Sequence, residues 1–218
     1  PQNGGHYELY LEINGNPFFI ETNSKINQNY LPLTRIPLSP LLISEVYYDA
    51  SRGKEPDNEW VIVYNTTNDY LDVSNWQICD ENSCDRLQPL EKIPPKSFAI
   101  ITPEESTFNL WEIPEDMVKI LLDDKTIGRG LNDEGDSLFI KRGEEIIDAL
   151  SYGNSTRVFN PPCPGVGKGY SLLRISLEKD TDTASDFRKS EPTLKPKVTF
   201  PIPIINFSPK NPVKGVKV

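Results

Sequence analysis

Between Leu41 and Leu194 the chain repeats one pattern: short runs of β-branched and aromatic residues, broken about every 8–15 residues by Gly, Pro, Asn or Asp. No stretch sustains the 3.6-residue apolar period of a helix long enough to cross between parallel strands. A doubly wound α/β fold is thereby excluded, and strands folding back on one another are expected. The runs are 41–48, 59–65, 71–79, 84–87, 96–102, 117–122, 136–141, 144–152 and 169–175. Nine such runs suit an all-β sandwich with Greek-key connections.

Charge and composition narrow the chemistry further. Lys and Arg number 23 against 32 Asp and Glu, a net charge of -9 that repels phosphate backbones. Nucleic acid is therefore not an expected partner, with Lys189, Lys195 and Lys197 as the one local basic patch to set against this. The single histidine, His6, removes chemistries that draw on several imidazoles. No apolar run approaches the roughly 18 residues needed to cross a bilayer, so no membrane span is expected.

Cys79 and Cys84 flank four turn-forming residues between two strand-like runs, a spacing that closes a hairpin as a disulfide or leaves two adjacent thiols. Cys163, in Pro161-Pro-Cys-Pro164, is the third cysteine, with no obvious partner and no histidine beyond residue 6 to activate it.

Residues 1–40 read as a hairpin and connector: Leu9, Leu11 and Ile13 alternate with polar neighbours, Asn14-Gly15 supplies the turn, and Phe18 to Thr22 returns. Thr102-Pro103-Glu104-Glu105 combines a capping threonine, a proline at the first helical position and a glutamate three residues after the cap. One short helix ending near Trp111 is expected there. Residues 195–218 carry prolines at 196, 201, 203, 209 and 212, which confine them to an edge strand or a linker toward a further module.

Leu42 to Asp49, Glu55 to Asn65 and Leu71 to Ile78 resemble the opening of a lamin tail domain of the prokaryotic type. Ile93-Pro-Pro-Lys-Ser97, Leu131 to Leu138, Ile147 to Gly153, Gly169 to Arg174 and Asp180 to Phe187 follow in the family's order. The resemblance covers 41–194 and implies an immunoglobulin-like Greek-key β-sandwich with a binding or organising role and no catalysis of its own. It also implies attachment to a larger secreted or envelope protein, extracellular or in the cell envelope, with a protein or a neighbouring domain as partner. Family members usually carry an acidic residue where Ile62 stands here. Strand parity places Trp60, Ile62 and Tyr64 on one face and Val61 and Val63 on the other. Both faces are apolar, so this strand is expected to be covered twice, with residues 7–22 as the second cover.

Other chemical signals are weaker. Gly165-Val-Gly-Lys-Gly169 lacks the glycine at 162 and the hydroxyl at 169 of a phosphate loop, and reads as a bend. Asp180, Asp182 and Asp186 are candidate Ca²⁺ ligands that serve equally well as turn caps. Asp133-Glu134-Gly135-Asp136 is expected to be a solvated turn. Trp111 is the candidate exposed ring for stacking on a glycan. The expected function is thus a non-catalytic interaction or tethering module rather than an enzyme. A carbohydrate-binding accessory module and a fragment of a metal-dependent hydrolase are the alternatives.

Overall fold

The computed structural model describes residues 8–13, 16–21 and 39–197. Glu8–Ile13 (β1) and Asn16–Glu21 (β2) pair antiparallel. The body runs Leu41–Tyr47 (β3), Trp60–Asn65 (β4), Trp76–Cys79 (β5), Cys84–Pro89 (β6), Phe98–Thr102 (β7), Thr107–Leu110 (α1) and Trp111–Glu112 (β8). It continues with Val118–Leu122 (β9), Gly135–Arg142 (β10), Glu145–Gly153 (β11), Ser171–Arg174 (β12), Phe187–Ser190 (β13) and Lys195–Pro196 (β14). No helix among the described residues is long and apolar enough to span a membrane.

Ten strands form one curled sheet in the order β11-β10-β5-β6-β9-β7-β4-β3-β12-β13. The curl has a visible corner at β6, whose first half pairs with β5 (Gln77↔Arg86, Cys79↔Cys84) and whose second half pairs with β9 (Leu87↔Leu122, Pro89↔Ile120). The two arms enclose one core, filled from one arm by Ile43, Val61, Val63 and Ile101 and from the other by Ile78, Leu138, Ile140 and Tyr152. Where the arms meet again, the Ile43 amide donates to Asp148 of β11 at 2.6 Å.

Two bulges set which residues face inward. In β3, Leu41 and Ile43 point into the core and so do Val46 and Tyr48, an inversion of parity that simple alternation forbids. Pairing jumps from Ile43↔Val63 to Glu45↔Ile62, so Ser44 is the extra residue that resets the phase. A second jump between Ile140↔Asp148 and Lys141↔Ile146 leaves Ile147 unpaired in β11.

The expected coverage of β4 on both faces is observed among the described residues. Val61 and Val63 enter the main core, while Trp60 and Ile62 join Tyr47, Ile100, Trp111 and Leu194 in a second cluster. That second layer comes from residues 103–117, the connection between β7 and β9, which pair in parallel, and from β14, which pairs with β8. A parallel pair demands a crossover, and here an irregular one performs it and carries Phe108, Leu110, Trp111, Ile113 and Met117 over the sheet. The side chains of residues 7–22 lie outside the described residues.

Two boundaries move for local reasons. The run 71–79 is strand only from Trp76, because Asp72 accepts from the Ser74 amide at 3.0 Å and Asn75 takes φ 95°, making a turn; Leu71 keeps only a bridge to Ile93. Thr102 does not cap a helix. Its hydroxyl bonds the Glu59 carbonyl and Thr107, both at 2.9 Å, so it closes β7, and α1 is a single turn beginning at Thr107.

Candidate functional site

An acidic mouth forms at one end of the curled sheet, where the loop after β3, the loop before β10 and the glycine-rich bend before β12 converge. Asp49, Glu55 and Asp133 bring one carboxylate oxygen each within 4.8 Å of one another. Two oxygens bound to one Ca²⁺ at about 2.4 Å lie no farther apart than this, so the three have the right span for a hard cation. The positive charge present is Lys168, whose amine lies 3.4 Å from Glu55 and 3.9 Å from Asp49. The bend is thus not a phosphate loop: Gly167 and Gly169 hold φ 75° and 80°, and the Gly169 amide donates to the Asp49 carbonyl at 2.9 Å. Burial and then the Asp133 carboxylate raise Asp49 above the ordinary carboxylate range, with Lys168 pulling it back. Asp133 is raised likewise by burial and by the facing Glu55.

Beneath the mouth lie groups that no solvent reaches. Glu59 is 0% exposed, and burial pushes its carboxyl to about 9, opposed chiefly by the Leu131 amide that donates to Oε2 at 3.2 Å. Its Oε1 and the Tyr152 hydroxyl have no hydrogen-bond partner among the described residues. Asp136, expected in a solvated turn, is buried and accepts from the amides of Ser137 at 2.7 Å and Asn132 at 3.2 Å, which shape the turn into β10. Cys163 is buried and its thiol is pushed up to about 12, so almost no thiolate forms near neutrality.

The aspartates singled out in the sequence are placed at another point. Asp180 and Asp186 both face the Arg174 guanidinium, at 3.0 and 3.9 Å, and Asp186 also accepts from the Thr181 amide and hydroxyl, each at 2.8 Å. Asp182 is exposed, at φ 51°, and its amide donates to Asp180 at 3.3 Å. The charge these residues gather around is therefore the chain's own arginine.

Trp111 is not an exposed ring. It is 2% exposed and packs edge-on against Tyr47 and Trp60 with centroids 5.3 and 5.7 Å away, because β8 turns it inward onto the outer face of β4. Trp60 and Trp76 are buried as well. Of the basic residues, Lys189 lies 3.9 Å over the Tyr170 ring and the Lys197 amine donates to the Phe108 carbonyl at 3.0 Å.

Cys79 and Cys84 form a disulfide and are directly opposed in the β5–β6 ladder. Closing so short a loop contributes about 2 kcal/mol on the chain-entropy estimate. Reduction should lower the unfolding free energy by that amount, read as a shift of the urea midpoint with and without reductant. An unmoved midpoint would mean that the hairpin is held equally well by its ladder.

No protein-family model matches the chain, and no curated protein matches it significantly.

Several important side chains escaped the sequence reading: Glu45, Glu59, Asp148 and Arg174. Each is a charge set inside or against an apolar strand run, as in Ile146-Ile147-Asp148-Ala149-Leu150. That placement was the available signal, since a charge in such a run is almost never buried without a partner.

Proposed function

We propose that the chain is a non-catalytic interaction or tethering module of a larger secreted or envelope-associated protein, built as an immunoglobulin-like Greek-key sandwich of the lamin-tail type. One observation carries this reading: three groups of strongly shifted acidity, Glu59, Asp148 and Cys163, are sealed from solvent and bound into the framework. A catalytic acid, base or nucleophile must touch its substrate, and these touch backbone. The disulfide favours an oxidising compartment. Residues from four of the motifs that carry the lamin-tail resemblance, Ile43, Asp148, Arg174 and the pair Asp180 and Asp186, form one network.

The test uses the whole chain. Immobilised protein should retain a polypeptide from envelope or secreted fractions, with retention lost after protease treatment and kept after glycosidase treatment. It should show no turnover of nitrophenyl esters, glycosides or phosphates, with or without Ca²⁺. Loss of retention after glycosidase would convert the reading to a carbohydrate-binding module. Turnover abolished by chelator would convert it to a hydrolase.

A further inference from the structure

A groove of about 610 Å³ opens beside the second layer, its apolar side formed by Phe98, Met117, Leu173, Ile175 and Leu177 and its polar side by residues that include Glu45, Lys96 and Asp116. It begins where the crossover stops covering β4: Trp60 and Ile62 are sealed, while Tyr64 and Phe98, with ring centroids 4.9 Å apart, are only half-buried. Ile175 on its wall is 60% exposed, a large apolar side chain left to water.

The β1–β2 ribbon has the matching shape. Its register pairs Leu9 with Ile20, Leu11 with Phe18 and Ile13 with Asn16, while Glu8 pairs with Glu21, Tyr10 with Phe19 and Glu12 with Pro17. Directly opposed residues share a face, so Leu9, Leu11, Ile13, Phe18 and Ile20 fall on one side of the ribbon. A two-stranded ribbon cannot bury such a face by itself and is marginal in water until it docks.

The route of the chain selects this occupant. The polypeptide enters the sheet at Ser39 and Pro40, whose carbonyls accept from Thr66, and the Lys96 amine donates to the carbonyl of Thr66. Lys96 and Ser97 form the rim of the groove, so the N-terminal segment arrives at its mouth. Residues 22–38 extend to at most about 55–60 Å, ample for the return. The C-terminal segment leaves in the other direction. Antiparallel pairing of Lys195 with Glu112 and Pro196 with Trp111, followed by the Lys197 amide on the Leu110 carbonyl at 2.9 Å, carries it toward α1 and away from Pro114 to Met117.

We propose that the groove is the docking site of the chain's own N-terminal hairpin, whose Leu9–Ile20 and Leu11–Phe18 face closes over Phe98, Met117 and Ile175. This holds whatever the module binds. Met117 is the only methionine and supplies a unique probe. In the full chain labelled at the methionine methyl, NMR should show through-space cross-peaks from Met117 to Leu11 and Phe18, unchanged on dilution, and Phe18→Leu should move the Met117 signal. Ile175→Asp, at an exposed position that does not threaten the fold, should lower hydrogen-exchange protection of the β1–β2 amides at least about tenfold. Cross-peaks seen only between differently labelled molecules would overturn the proposal in favour of a second copy. Absent cross-peaks with a Met117 signal indifferent to Phe18→Leu would overturn it in favour of an external partner.

Discussion

Arg174→Ala is expected to lower the unfolding free energy by about 3–5 kcal/mol, because it leaves buried acids without their counter-charge. The guanidinium side chain is 1% exposed and engages five groups: the Ile43 carbonyl at 2.7 Å, Asp148 at 3.0 Å, Asp180 at 3.0 Å, Asp186 at 3.9 Å and the Phe187 ring at 4.5 Å. Its position explains the need. β12 pairs with β3 only at Val46 and Glu45, so beyond the bulge the edge of Ile43 that faces away from β4 has no strand beside it. Arg174 bonds the Ile43 carbonyl and Asp148 its amide, so two side chains replace the missing ladder and join both arms of the sheet. Burial raises the Asp148 carboxyl, and Arg174 with the Ile43 and Ala149 amides holds it down. Arg174→Lys should recover little, since one ammonium cannot serve these divergent acceptors. The pair Arg174→Met with Asp148→Leu should recover much of the loss, as replacing a whole buried pair costs less than breaking it. Urea denaturation measures all three, and a loss below about 1 kcal/mol for Arg174→Ala would remove the network from its structural role.

Glu59→Gln is expected to act in the opposite direction, raising stability by about 1–3 kcal/mol at pH 7 and by progressively less as pH falls toward 4.5. The folded-state carboxyl is raised from 4.5 to about 9, so between those values the native state holds a proton that the unfolded chain has released. Stability then decreases as pH rises through this window. At pH 7 the gap from the unfolded value gives a ceiling of about 3 kcal/mol, which relaxation reduces. Glutamine mimics the neutral acid and keeps an acceptor for the Leu131 amide, so it removes the pH term while preserving the contact. Parallel urea titrations of both proteins at several pH values read the difference. A gain independent of pH, or a loss, would show that Glu59 is ionised in the folded protein.

Much of the strand pattern was legible because it depends on neighbours in sequence. Alternation and turn residues located the nine runs, and the Cys79–Cys84 spacing across a four-residue turn is local by construction. The two apolar faces of β4 correctly called for two covers. What failed had a non-local cause. Trp111 follows a capping pattern that suggested an exposed helix end, yet a two-residue pairing with Lys195 and Pro196 turns it inward. Asp136 looked like part of a polar turn and is buried, because that turn folds under the Glu81 and Asn132 amides.

By itself the amino-acid order determined that strands would form, where most of them lie and which of their faces are apolar, since periodicity and turn chemistry act over a few residues. Tertiary structure alone decided the partners: Arg174 meets Asp148 across 26 positions and Ile43 across 131. The acidic mouth, the parallel β7–β9 pair and the groove beside Met117 have the same origin. A side-chain period states which way a residue points, and only the curling of the sheet, set by its bulges and its corner at β6, states what it points at.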